Sequence, residues 1–281
     1  FNKDLGFAPP SDPFNPVTAV AVHLSWLNRT ICLAVAPKGL DADTAQAICE
    51  KFPDTMLMNN EKELLSTFLD LIDDADVMTG WNSEGFDIPY MVNRVKRELG
   101  REHTRRFCLW NKYPKRREYL SYGKTQETFD TVGRVHLDML QLYRKYTYHE
   151  MHSYSLDAIG EYELNEKKID YEGTLDQLYN NDFEKFIGYN RQDVDLEAKL
   201  QFIDLANVIA HDNTVLLQTT MGAVAQTDQA IVNAAHARGM QVPDKRSHEG
   251  NTQAAGAYVA TPVKGMHEWL ASMDLNSLYP S

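Results

Sequence analysis

Two runs near the start of the chain, "VTAVAVHLSW" and "TICLAVAP", alternate or run apolar on either side of a short "LNRT". That pattern predicts an antiparallel hairpin. In "NEKELLSTFLDLIDDA" the apolar positions 64, 65, 68, 69, 71 and 72 follow a helical period, with Asn60 placed as the N-cap. "DVMTGW" predicts a short buried strand, and a second amphipathic helix follows from about Ile88 to Leu99, stopped by Gly100. Hairpin, helix, strand and helix in that order predict a layered α/β domain.

Residues 104–130 are basic, aromatic and poor in helical pattern, and "REYLSYGKTQETFDTV" fits a hairpin with Gly123 in its turn. The chain then turns mostly helical: "LDMLQLYRKYTY", "SLDAIGEYEL" and "TLDQLYNN", a long helix from about Asp182 to His211, and another over roughly Gly222 to Arg238. "GMQVPDKRSHEGNTQAAGA" is polar and turn-rich, a natural boundary before the last strand-like stretch, which ends in "SMDLNSLYPS". Residues 1–16 carry Gly6, Pro9, Pro10, Pro13 and Pro16 and predict an irregular lead-in.

Composition narrows the class. With 281 residues, 43% of them hydrophobic and 24% charged, the chain can build one large core or two modest domains and is not of disordered type. It has no apolar run near the roughly 18 residues of a membrane span and no basic-then-apolar leader, so a cytosolic setting is expected. Cys32, Cys49 and Cys108 are scattered and form no C-x-x-C pair, which argues for reduced thiols over a disulfide frame or zinc ribbon. A net charge of -12 argues against a chain whose main business is coating phosphate backbones. It suits an enzyme whose divalent ions need clustered carboxylates.

Three stretches hold carboxylates in unusual company. In "TGWNSEGFDIPYMVNRV", Asp87 falls at a strand-to-helix junction, five residues after Asn82. Its plain reading is a helix cap, with Pro89 accepted in the first turn; its chemical reading is a metal-binding carboxylate at a strand end. In "IGYNRQDVDLEAKL", Tyr189 and Asp193 are four apart and share a helix face that Glu197 extends, while Asp195 points elsewhere. A solvated acidic face is the plain alternative there. Asp274 in the closing stretch is a carboxylate among apolar neighbours, costly to bury unless paired or bound to a metal. "HEMH" at 149–152 lacks the H-E-x-x-H spacing of a zinc site, and the "NRT" at Asn28 has no secretory context.

Taken together, these stretches resemble a family B DNA polymerase of the T-even bacteriophage type. "DLNSLYPS" is similar to the first palm motif of that family, D-x-x-S-L-Y-P-S; "GWNSEGFDIPY" to its second exonuclease motif, N-x-x-x-F-D; and "YNRQDV" to its third, Y-x-x-x-D. "GAYV" falls where the family has a Y-x-G-G-like loop, but Ala254 and Ala257 depart from that pattern. The resemblance covers nearly the whole sequence, but the family's first exonuclease motif, a D-x-E on the first strand just ahead of a segment like residues 1–25, is not found.

The resemblance implies a ribonuclease H-like α/β domain of 3′-5′ exonuclease type over residues 1–205, a helical connector over 206–247 and the start of a polymerase palm over 248–281. It further implies that the sequence runs from just after the first exonuclease motif to the end of the first palm motif, and that this stretch alone has neither full activity. In the roles so implied, Asp87 and Asp193 hold metal, Tyr189 orients the attacking water, and Asn82 and Phe86 line the path of a frayed 3′ end. The segment from about Glu118 to Phe129 would be a hairpin that parts primer from template. Asp274 would bind the palm ions with its carboxylate and Leu275 with its backbone carbonyl. Ser277, Leu278 and Tyr279 would meet the incoming dNTP, with Tyr279 as steric gate, and Gly256 and Tyr258 would touch template. Two Mg²⁺ per site, replaceable by Mn²⁺, are the implied cofactors. The implied partners are a DNA primer-template, a single-stranded 3′ end, dNTP and a sliding clamp, in the cytoplasm of a phage-infected host and without a membrane. A stand-alone 3′-5′ exonuclease accounts for Asp87, Tyr189 and Asp193 equally well but not for "DLNSLYPS". A non-catalytic nucleic-acid- or clamp-binding module is the third reading.

Overall fold

The computed structural model describes residues 6–121, 124–147, 150–200, 223–243 and 260–271. It divides into two compact units, Phe1–Met240 and Gln241–Ser281. In the second unit the described residues have no helix or strand, and Val263, Met266, Trp269 and Leu270 are exposed.

The first unit opens with the expected hairpin. Strand β1, Ala19–Leu24, pairs antiparallel with β2, Arg29–Val35, in a register that sets Ala19 opposite Ala34 and Leu24 opposite Arg29. Asn28 turns the chain at φ 49°, a left-handed conformation that asparagine tolerates better than most residues. Helix α1, Ala42–Glu50, capped by the Asp41 side chain, then crosses over to β3, Thr55–Met58, which runs parallel to β2. Neither α1 nor β3 stands out in the apolar pattern, since one is a short Ala-containing helix and the other only four residues long.

Strand β2 is the buried centre of this sheet. Leu33 faces a core built with α2, Glu61–Leu71, and α3, Asp87–Glu98, whereas Cys32 and Ala34 face the other way, into a cluster with Ala45, Cys49, Phe183, Phe186 and Ile187. Alternation along one strand thus builds helical layers on both faces of the sheet, and the mixed α/β expectation is borne out. The Asn60 side chain caps α2 by accepting from the Glu63 N–H at 3.0 Å. Buried Arg94 of α3 bonds Glu61 at 2.6 Å through both Nε and Nη2, tying α3 to the start of α2.

A second, two-stranded sheet holds β4, Val77–Gly80, parallel to β7, Val135–Asp138. Between them in sequence lie a 3-10 turn, Arg101–Phe107, and the hairpin of β5, Lys115–Ser121, with β6, Lys124–Asp130. The expected helix beginning at Leu137 needs correction: the strand continues to Asp138 and α4 covers Met139–Tyr146. Helices α5, Leu156–Leu164, α6, Leu175–Asn181, and α7, Phe183–Leu200, follow. The expected continuation of α7 to His211 lies outside the described residues, and α8 covers Ala223–Ala237. Among the described residues no helix is long and apolar enough to cross a membrane, and all three cysteines are free and buried.

Candidate functional site

The loop from Trp81 to Phe86 joins β4 to α3, and the sequence forces it into a tight shape. Asn82 adopts φ 60°, and the Ser83 hydroxyl donates back to the Gly80 carbonyl at 2.9 Å. A Cβ on Gly80 would come within 2.4 Å of the Ser83 Cβ, so only glycine lets the loop fold back this closely. Asp138, at the end of the neighbouring β7, grips the loop from below. Its Oδ1 accepts from the Asn82 N–H at 3.2 Å and its Oδ2 from the Glu84 N–H at 3.0 Å, while Oδ1 also caps α4 through Leu140 and Gln141. His136, 2.9 Å from the Ser83 hydroxyl, is half-buried with its ring surrounded by protein, and that desolvation lowers its pKa to about 4.

Asp87 follows this loop as the first residue of α3. The plain reading of it as a helix cap is corrected: the cap position is Phe86 and makes no side-chain bond, while Ile88 N–H donates to the Ser83 carbonyl at 2.9 Å. The Asp87 carboxylate is left free for other work. It is open to the water of a cleft but surrounded by protein on most sides, and this desolvation, helped by the charge of Asp138, pushes its pKa up to about 6. Phe86 stacks on Tyr90 with centroids 5.3 Å apart.

The other wall comes from α7, where Tyr189, Asp193 and Glu197 fall at intervals of four and line the same cleft as Asp87. Asp195 turns away and accepts from the Thr30 hydroxyl at 2.5 Å. Lys168, on the segment before α6, donates to Asp193 Oδ2 at 2.8 Å and lies 5.4 Å from the Tyr189 ring centre. Burial raises the pKa of Asp193 and of the Tyr189 hydroxyl, and Lys168 pulls Asp193 the other way. Glu197 is pushed up to about 8, first by burial and then by the charges of Asp87, Asp138 and Asp193. Asp193 Oδ1 and Glu197 Oε1 are closed off from the outer solvent without a hydrogen-bond partner.

The cleft has a volume of about 1720 Å³, beyond the roughly 300–1,000 Å³ of small-molecule sites. Residues 15–26, including all of β1, line one side and Val77–Ser83 another. Among the described residues β1 pairs only with β2 and β4 only with β7, so each strand turns an unpaired edge outward. Asn82, Phe86, Asp87, Tyr189 and Asp193 all line this one cleft. Asp274, Leu275, Ser277, Leu278, Tyr279, Gly256 and Tyr258 lie outside the described residues.

Asp193 and Glu197, which line the cleft, each carry an orphaned carboxylate oxygen, the donor type that Mg²⁺ or Mn²⁺ takes, so the residues present fit such an ion. They form only part of a donor set: among the described residues no three acidic, histidine or cysteine side chains are arranged to hold a metal. The apolar pattern did not single out Asp138, Glu84 or Lys168. Asp138 had a readable signal, an aspartate directly before an amphipathic helix; Lys168 had none, because its place depends on a loop folding back on α7.

Carboxylates at the start of α3 and along one face of α7 thus line one cleft of an α/β scaffold. Residues 27–159 match the family described as DNA polymerase family B, exonuclease domain. The chain is 34% identical over 232 residues to the DNA-directed DNA polymerase of Escherichia phage RB69, covering 80% of this chain and 26% of that protein. It is 28% identical over 251 residues to the DNA-directed DNA polymerase of Enterobacteria phage T4, covering 86% of this chain and 28% of that one. The DNA polymerase delta catalytic subunit of Bos taurus is 29% identical over 248 residues, with coverage of 79% and 21%. The family resemblance carried by the motifs is thereby borne out, and the chain spans about a quarter of the length of its phage relatives.

Proposed function

We propose that this chain carries the 3′-5′ proofreading exonuclease domain of a replicative DNA-directed DNA polymerase, of ribonuclease H-like fold. The supporting observation is one cleft, lined by Asp87, Tyr189 and Asp193, the last with an unpartnered carboxylate oxygen, in a chain whose residues 27–159 match the family B exonuclease domain. The substrate of this reading is the frayed 3′ end of a DNA primer, and the reaction is phosphodiester hydrolysis.

Asp87 and Asp193 would hold Mg²⁺ or Mn²⁺ from opposite elements, α3 and α7. Two such ions, when bound, supply a water of lowered pKa and stabilise the leaving oxygen. Lys168 offsets the charge of Asp193 and holds its carboxylate in place, and the Tyr189 hydroxyl, beside Asp193, orients the attacking water. Phe86 offers a stacking face, which accepts any base and so suits a nuclease that must remove any mismatch; Asn82 flanks it. The free edges of β1 and β4 support one further element of the reading. A strand bearing D-x-E laid between them would complete both sheets and bring two more carboxylates toward Asp87 and Asp193.

The polymerase part of the reading rests on the motifs and on relatives named as DNA polymerases. Asp274 and Leu275 are proposed to hold the palm ions, Ser277, Leu278 and Tyr279 to meet dNTP, and Gly256 and Tyr258 to contact template. A helical connector and the start of a palm are proposed to follow the exonuclease domain, with a sliding clamp as partner in the host cytoplasm.

The test is to fuse a D-x-E strand ahead of residue 1 and follow a labelled single-stranded DNA with Mg²⁺. Stepwise loss of nucleotides from the 3′ end, abolished by Asp193→Ala, is expected. Attack from the 5′ end, or 3′ loss that survives Asp193→Ala, rejects the reading.

A further inference from the structure

One residue of the Trp81–Phe86 loop faces away from the cleft. The Glu84 side chain is only 10% exposed, and it accepts from two separate elements: the Arg117 guanidinium on β5 and the Gln141 amide on α4. Arg117 also reaches across the hairpin, where its Nε donates to Asp130 Oδ1 at 2.9 Å at the foot of β6. Tyr119 of the same strand sets its hydroxyl 3.4 Å from where a Cβ on Gly85 would stand. The base of the β5–β6 hairpin is therefore fastened to the site loop by a charge-assisted bond, with the Tyr119 hydroxyl close beside it.

The loop is stiff beyond this attachment. Asn82 and Glu84 give their N–H groups to Asp138, and Gly85 and Phe86 give theirs to the Asn82 carbonyl, each at 3.1 Å. Asp87 follows directly on that bonded turn. A shift of the bonded turn is passed on to the first turn of α3, where Asp87 stands.

We propose that Glu84 is a positioning residue: it couples the β5–β6 hairpin to the loop ahead of Asp87, so that a nucleic-acid strand pressing on the hairpin resets the metal-holding carboxylate. The nucleic-acid part rests on the function proposed above; the mechanical coupling does not. Glu84 touches no substrate, and its reach to Arg117 carries the effect.

The test combines amide exchange and Mn²⁺ binding in the whole chain. Glu84→Ala and Arg117→Ala are each expected to speed exchange at Asn82, Glu84, Gly85 and Phe86 about tenfold, and the double variant no more than either alone. Glu84→Gln keeps an acceptor for Arg117 and restores most of the protection. Arg117, 43% exposed and distant in sequence from Asp87, is the decisive position, because its truncation is the one least able to unfold the chain. By electron paramagnetic resonance Arg117→Ala is expected to weaken Mn²⁺ binding about tenfold, the scale of losing outer-shell support. Loop exchange unchanged in Arg117→Ala, or additive losses in the double variant, overturns the proposal. Parent chain without Mn²⁺ binding would instead count against the functional reading, leaving the exchange result to decide the coupling.

Discussion

Asp138 and Glu197 are carboxylates of the same unit, both hidden from bulk water at their acidic ends, and their surroundings are opposite. Asp138, 2% exposed, has both oxygens filled by backbone N–H groups from two different segments. Glu197 leaves Oε1 unpartnered, as Asp193 leaves Oδ1. Burial raises the pKa of all three, but only for Asp138 do several backbone donors push back. The difference separates architecture from readiness. A filled carboxylate fixes the chain around it, whereas an orphaned one is a standing cost, about 1–3 kcal/mol, tolerated only because the helix carrying it is locked elsewhere.

The largest effect is expected where the carboxylate is filled. Asp138→Ala removes the α4 cap and strands the Asn82 and Glu84 N–H groups, and it should destabilise the unit by about 2–4 kcal/mol. Urea denaturation measures this. A loss under about 0.5 kcal/mol would show that the loop stands without its anchor and would break the contrast.

Glu197 should instead appear in the pH dependence of stability. Its folded pKa of about 8 stands above the ordinary glutamate value of 4.5, so between those values the folded chain keeps a proton that the unfolded chain has lost. Stability therefore falls as pH rises through that window and levels off above about 8. Asp87, at about 6, acts in the same direction at lower pH, and His136, lowered to about 4 from 6.5, acts in the opposite one. Above pH 6.5 the histidine is neutral in both states. The remaining fall, up to about 1.4 kcal/mol per pH unit, is that of Glu197 and should flatten in Glu197→Gln. An identical slope in parent and variant would show that the buried proton sits elsewhere.

Asp193 sharpens the same point with a ligand. Asp193→Asn should change metal-free stability by only about 1 kcal/mol, since it trades an orphaned oxygen and a partly exposed pair with Lys168 for a neutral amide. What it should remove is stabilisation by Mn²⁺, about 1.4 kcal/mol at tenfold excess over Kd for the parent. Thermal melts with and without the ion measure both quantities, and an undiminished Mn²⁺ effect would place the ion away from α7.

The same contrast explains what was legible beforehand. The β1–β2 hairpin, the Asn60 cap and α3 follow from local period and capping chemistry, which a sequence displays directly. The stripe of Tyr189, Asp193 and Glu197 was equally legible, because a spacing of four means one helix face wherever the helix lies. Strand β7 was not: it is only four residues long and runs straight into α4 with no turn residue but the Asp138 cap between them, so pairing with β4 decides that Val135–Asp138 is strand. Lys168 and Glu84 were invisible for a similar reason. Their partners Asp193, Arg117 and Gln141 are 25 or more residues away, and nothing local marks a charge whose meaning is set by a long-range contact.

The smallest effect tests the contrast within one helix. Asp195 lies two residues from Asp193 and on the other side of α7, with an oxygen filled by the Thr30 hydroxyl, which is itself 3.0 Å from His23 Nδ1. It fastens α7 to the β1–β2 hairpin and faces no cleft cation. Asp195→Ala should thus cost about 1 kcal/mol or less, because Thr30 keeps His23 as a partner and no buried group is orphaned. Mn²⁺ stabilisation should stay at the parent value. Equal metal-free stability losses in Asp193→Asn and Asp195→Ala, with opposite responses to the ion, would show that what distinguishes two aspartates on one helix is the vacancy each leaves and not the charge each carries. If Asp195→Ala abolished the Mn²⁺ response as fully as Asp193→Asn, the ion would be sensing the placement of α7 as a whole, and the orphaned oxygen would lose its special standing.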